Sequence, residues 1–191
     1  MSYNNLIKSN DPQAVEKLLE NIQTLEDRLE YMQSVNDYFK EHGTTKGHPD
    51  ISDEGAMALD KRVKDGNRTP YPGQFFTDNR KEIQRLKSVV ERLENNPETV
   101  FKGWRFYGGE AVVNLANNRL QLMFDEKPSE EQIATLKKSF FKWAPKAKAW
   151  QRVLSHQTMS LADKISFIRP RDGRKPTDLQ PKAPKKSEPV R

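Results

Sequence analysis

The chain has 191 residues, of which 34% are apolar and 31% charged, with a net charge of +6. It has no cysteine, which excludes disulfides, thiolate metal sites and a cysteine nucleophile. No run of about 18 apolar residues occurs, which excludes a helical membrane span. The segment MSYNNLIKSND lacks a basic stretch followed by an apolar one, so no export signal is read and a cytoplasmic setting is expected.

Asp11 and Pro12 open the first predicted element as N-cap and first helical residue, and Gly43 closes it. Between them Val15, Leu18, Ile22, Leu25, Leu29, Met32, Asn36 and Phe39 recur at spacings of three and four, a coiled-coil seam with a polar Asn36 at a core position. Ile83, Leu86, Val90 and Leu93 repeat that seam after Asn79, whose spacing to Glu82 is that of a capping box. Two arrangements bury these stripes. One is an antiparallel helical hairpin, favoured because the second stripe lies in the same chain. The other is a homodimer through the helical seam with Asn36 fixing its register.

The connection from Thr44 to Asp78 holds a short helix over Asp53 to Lys64 and a strip of proline and aromatic residues, Pro70 to Phe76. That strip is either a lid on the hairpin or a partner-binding loop, with Tyr71, Phe75 and Phe76 as its protein contacts.

After Pro97 the hydrophobic period falls to two. Trp104 and Phe106 precede a Gly108-Gly109 turn, then Ala111 to Leu115 and Arg119 to Phe124 alternate around Asn117-Asn118, a hairpin signature. Leu120, Leu122 and Phe124 share one face, and Arg119, Gln121 and Met123 the other. Ser129 and Gln132 form a capping box for a helix whose Ile133, Leu136 and Phe140 face inward. Trp150 to Leu154 supplies a further strand, and Ser160 with Asp163 starts a last helix bearing Leu161, Ile165 and Ile168. The expected fold class is α+β: a helical hairpin with a long connection (1–96), a small α+β domain (97–168) and a disordered basic, proline-rich tail (169–191).

Charge is divided unevenly. Residues 1–96 hold 14 basic and 17 acidic side chains, residues 97–168 hold 11 and 7, and residues 169–191 hold 8 and 3. A polyanion is therefore expected to meet the C-terminal half, where the tail is either a tether or a nonspecific polyanion-binding arm. In that half Arg119, Lys137, Lys138, Lys142, Lys146, Lys148 and Arg152 surround Trp143 and Trp150 and are the candidate nucleic-acid contacts. One or both of the indoles are read as core with the cations forming a positive rim; an exposed indole would instead offer a base-stacking platform.

No phosphate-binding, dinucleotide, nucleophile-elbow or zinc-protease motif occurs. His42 and His48 lie near Asp50 and Asp53 but are read as loop histidines rather than metal ligands. No catalytic residue, cofactor or metal is assigned, and the chain is read as a non-enzyme.

The succession Asn118-Arg119-Leu120-Gln121, Phe124-Asp125-x-Lys127-Pro128, Phe141-x-Trp143-x-Pro145 and Ala149-Trp150-Gln151-Arg152 resembles a family of small uncharacterised proteins of bacteriophages, prophages and conjugative elements. The resemblance extends over most of residues 15–155. It implies an accessory gene of a mobile element acting in a bacterial host cell. The chain departs from that family near Lys146, Ala147 and Lys148, where a glycine-containing turn is often seen, and in its long basic tail. The expected function is a non-enzymatic binding protein that contacts nucleic acid or a nucleic-acid-bound host complex. The alternative is a protein inhibitor or adaptor acting on a host defence system by direct contact.

Overall fold

The computed structural model describes residues 3–182. They divide into two compact units, one of Leu19–Ser88 with Tyr3, the other of Asn4–Leu18 with residues 89–182. The fold is mixed α and β, with a long N-terminal helix and one five-stranded antiparallel sheet.

Helix α1 spans Ala14–His42. Asp11 does cap its entrance, accepting a hydrogen bond from the Gln13 amide at 2.9 Å, and Gly43 ends it at φ +71°. Leu18, Ile22, Leu25 and Met32 of the predicted stripe are buried, joined by Asn21 and Val35. In the first unit Asn36 donates from Nδ2 to Tyr71 O at 2.8 Å and accepts from Tyr71 N at 2.9 Å. The polar seam position is thus satisfied by backbone within the chain.

Helix α2 (Asp53–Lys64) is where the sequence places it, with Ser52 as N-cap. Asp60 on its inner side accepts from Thr45 N and Thr45 Oγ1 at 2.8 Å each, and from Thr44 Oγ1. These bonds tie the residues after α1 to α2. Helix α3 spans Gly73–Asn95, starting six residues before the expected cap. Pro72 O already accepts from the Phe75 amide, and Asn79 lies buried inside the helix on the face of Phe76, Ile83 and Leu86. The capping-box spacing at Asn79 and Glu82 is therefore not a helix start.

In the second unit the sheet is built of β1 (Trp104–Phe106), β2 (Gly109–Asn114), β3 (Arg119–Phe124), β4 (Lys142–Ala144) and β5 (Ala149–Val153), in the spatial order β1-β2-β3-β5-β4. Strand β4 is too short for its alternation to register in the sequence. Its register puts Trp104, Ala111, Leu122, Trp150 and Trp143 in one row on one face. Helix α4 (Glu130–Lys138) and α5 (His156–Ala162) flank the strands in sequence. The capping box of α4 forms as expected, between Ser129 and Gln132.

Two expectations about these helices fail. Phe140 is not an inward residue: α4 ends in a Schellman arrangement, with Phe140 N bonding Lys137 O and Phe141 N bonding Leu136 O at 2.9 Å each. That turn places Phe140 at φ +61°, 71% exposed, and buries Phe141 instead. Helix α5 starts at His156 with Ser155 as cap, not at Ser160, so Ile165 and Ile168 are buried in and beside a following 3-10 turn.

The opposite face of the sheet carries a buried amide ladder. Asn114 Nδ2 donates to Gln121 Oε1 at 3.1 Å, and Gln121 Nε2 donates to Gln151 Oε1 at 3.0 Å. The N-terminal segment closes over it, Asn114 bonding both Ile7 N and Asn5 O. Isolated polar groups there would cost about 1–3 kcal/mol each, whereas the ladder satisfies them mutually.

The expectation of a disordered tail from residue 169 also differs from the structure over 169–182. Arg171 N bonds Arg105 O at 3.0 Å, Thr177 bonds the Asp163 carboxylate, and Gln180 bonds both the N and O of Lys102. Pro170 and Pro176 are buried. Backbone and amide bonds hold this segment where its poverty in apolar side chains argues against order. The rest of the expected tail lies outside the described residues. Among the described residues no helix is long and apolar enough to cross a membrane.

Candidate functional site

The tight turn of Pro145–Ala147 followed by Lys148 joins β4 to β5 and sets Trp143 opposite Trp150. Lys148 occupies the left-handed region at φ +48°, the backbone state glycine adopts most readily. The indoles stand 5.8 Å apart at 55°. Trp150 is 7% exposed and forms core, while Trp143 is 49% exposed. One of the two rings is therefore available to a ligand.

Beside these rings opens a groove of about 670 Å³, lined by Phe124 to Pro128, Ile133, Trp143, Lys148 and Trp150. Strand β3 delivers Phe124, the loop after it brings Asp125, Glu126, Lys127 and Pro128, and the first turn of α4 brings Ile133. The walls are mostly aromatic and aliphatic, with Lys127 and Lys148 as cations and Asp125 and Glu126 as anions. Such a groove accepts a flat apolar face and can hold a negative group at its lysine-bearing rim.

The predicted cations do not form one patch. Strand alternation places Arg152 on the face of Trp143 and Trp150, and Arg119 and Lys142 on the other. Lys137 and Lys138 are exposed at the end of α4, and Lys146 and Lys148 are exposed in the β4–β5 turn. Among the described residues no ion pair engages any of these five lysines. Arg152 differs. It donates from Nη1 to Ser139 O at 2.9 Å and from Nε to Thr158 Oγ1 at 3.1 Å, with its guanidinium 5.4 Å from the Phe140 ring centre. It ties the end of α4 to β5 and the start of α5, a structural task that leaves little of it for a ligand.

The residues missed by charge-based reading are Phe124, Asp125, Lys127, Pro128 and Ile133. A signal for the first four existed: they belong to the same motif succession as Trp143 and Trp150, and the fold brings the pieces to one groove.

Of the expected protein contacts, Phe76 is 8% exposed and packs in the first unit, so it is not a contact surface. Tyr71 is half-buried, its backbone held by Asn36, and Phe75 is 41% exposed. His42 stacks on Tyr38 at 4.0 Å, and His48 is buried, bonded to Ser34 Oγ at 3.2 Å and accepting from Asp50 N at 3.2 Å. Among the described residues no group of three or more His, Asp or Glu side chains is placed to hold a metal ion. No family model, curated protein or solved structure matches the chain.

Proposed function

We propose that the protein is a non-enzymatic accessory factor of a bacteriophage or related mobile element, acting in the host cytoplasm, and that its sheet-bearing unit binds single-stranded nucleic acid. The observation that carries this reading is the half-exposed Trp143 at the mouth of an apolar groove whose rim holds Lys148 and Lys127. A base unstacked from its neighbours presents a flat π face to such a ring, and stacking on an aromatic side chain contributes roughly 1–3 kcal/mol per base. The phosphates on either side then meet the rim lysines Lys127 and Lys148, with Lys146 beside Lys148 in the same turn. Duplex bases are already stacked, so single strands are the preferred ligand.

In the same proposal the two long helices form an antiparallel hairpin. Supporting it, Glu26 of α1 pairs with Lys87 of α3 at 2.8 Å while Asn36 meets Tyr71 just before α3, so later residues of one helix meet earlier residues of the other. Satisfaction of Asn36 within the chain favours this over a homodimer seam.

Fluorescence anisotropy with single- and double-stranded oligonucleotides at low and moderate salt tests the proposal. Binding of single strands that weakens as salt rises supports it, and absence of binding at low salt refutes it. A second reading, a protein inhibitor or adaptor of a host defence system, is favoured by the exposed Met57 and Phe75 of the more acidic first unit. A defined host partner retained after nuclease treatment, and lost on Phe75→Ala, would establish that reading instead.

A further inference from the structure

The geometry points to a second anion-binding surface, along β1, that takes the sugar-phosphate backbone of a nucleic acid. Strand β1 is one edge of the sheet and β4 the other. Four strand spacings, roughly 19 Å, separate β1 from the edge that carries Trp143, and none of the cations described below lines the groove.

It is assembled by the segment that sequence alone assigns to a disordered tail. Trp104 Nε1 donates to Ile168 O at 2.7 Å, fixing the point at which the chain arrives at β1. Arg171 then donates from its amide to Arg105 O and from Nε to Phe106 O at 3.2 Å, and its guanidinium lies 5.6 Å from the centre of the Tyr107 ring. The Gln180 amide bonds both backbone groups of Lys102, closing the far end. These anchors bring the stretch that carries Arg169, Arg171 and Lys175, all exposed, beside the stretch that carries Lys102 and Arg105, also exposed.

The acids nearby are largely accounted for. Asp172 pairs with Arg174 at 2.6 Å, Asp178 accepts from the Lys175 amide, and Glu110, opposite Arg105 in register, pairs with Lys8 at 2.7 Å. Among the described residues no ion pair engages the five cations named. Tyr107 in their midst is 79% exposed. A folded protein gains nothing by gathering like charges on a rigid edge, and backbone phosphates at regular spacing are the ligand whose charge such a row complements. Because phosphate contacts carry no sequence information, this surface adds affinity without specificity.

The test uses the full chain and two fluorescein-labelled probes of equal length: an abasic sugar-phosphate oligomer and oligothymidylate. The triple variant Lys102→Gln, Arg105→Gln, Arg169→Gln changes only exposed side chains, and an unchanged urea midpoint verifies its fold. Wild type is expected to bind the abasic oligomer at low salt. In the triple variant the slope of log affinity against log salt should fall by about 2, three contacts at roughly 0.7 each. Trp143→Ala should weaken oligothymidylate binding more than abasic binding, because the abasic oligomer has no base to stack. If wild type ignores the abasic oligomer, or the triple variant keeps the wild-type slope, the β1 surface is overturned. Equal affinity for the two probes, indifferent to Trp143→Ala, would refute stacking in the groove and leave the β1 surface standing.

Discussion

Replacing Trp143 and Trp150 in turn separates the two roles that the tryptophan pair combines. The side chains differ in exposure by about two-fifths of their surface, 49% against 7%. A tryptophan offers up to roughly 250 Å², so Trp150 buries about 100 Å² more, which at about 25 cal/mol per Å² is ~2.5 kcal/mol. A cavity contribution adds to this for Trp150, whose ring is enclosed, bringing Trp150→Ala into the range of about 3–5 kcal/mol. Trp143→Ala should therefore be the milder change by at least ~2 kcal/mol. Its effect on oligothymidylate binding should run the other way. Loss of one stacked base, about 1–3 kcal/mol, weakens affinity roughly 5- to 150-fold. Urea unfolding followed by circular dichroism supplies the stabilities and anisotropy the affinities. Iodide quenching of single-tryptophan variants, with the 6%-exposed Trp104 as comparison, checks the exposures. Equal destabilisation by both substitutions, or unchanged affinity in a folded Trp143→Ala protein, would refute the reasoning.

Asn36→Leu removes both bonds to the Tyr71 backbone and leaves its half-buried amide unpaired, the carbonyl keeping its bond from Thr69 Oγ1 at 2.9 Å; the urea midpoint should drop by the equivalent of about 1–3 kcal/mol. Burial raises the Asp60 carboxyl, but the hydrogen bonds from Thr44 and Thr45 outweigh it and hold it below the ordinary aspartate value. A folded-state pKa below the unfolded one contributes stability that is fully present above about pH 5 and lost as pH falls through the folded value. Asp60→Asn should thus lower stability at neutral pH and flatten its fall in acid, as read by thermal melts across pH. Lys148→Gly relieves a left-handed backbone costing a side chain about 1–2 kcal/mol, less about 0.5–1 for glycine's added freedom when unfolded. The melting temperature should hold or rise slightly while the salt slope of oligonucleotide binding falls by about 0.7, and a marked loss of stability would contradict the assignment.

Local rules were sufficient wherever the determinant lies within a few residues. The span of α2, the Ser129 capping box, the end of α1 at Gly43 and the β2–β3 hairpin all follow from neighbours in sequence, because caps, turns and periodicity are short-range. The buried stripe of α1 was legible for the same reason. The chain could not reveal that Phe140 turns outward and Phe141 inward, since both are apolar and only the Schellman turn at the end of α4 chooses between them. Nor could it place Asn79 inside a helix, because its capping spacing is also compatible with a buried helical position.

Cation count alone made Arg152 a ligand contact, while the fold spends its guanidinium on Ser139 and Thr158. Order in residues 169–182 depends on bonds to β1 reaching more than 60 residues back in the chain, and composition is blind to these. The groove likewise joins β3, its following loop, α4 and the β4–β5 turn, four stretches that meet only in three dimensions. Sequence by itself determined the elements, the charge division and the two tryptophans at issue. Tertiary structure decided which of those rings faces outward, because exposure depends on what packs across a sheet rather than on what adjoins a residue in the chain.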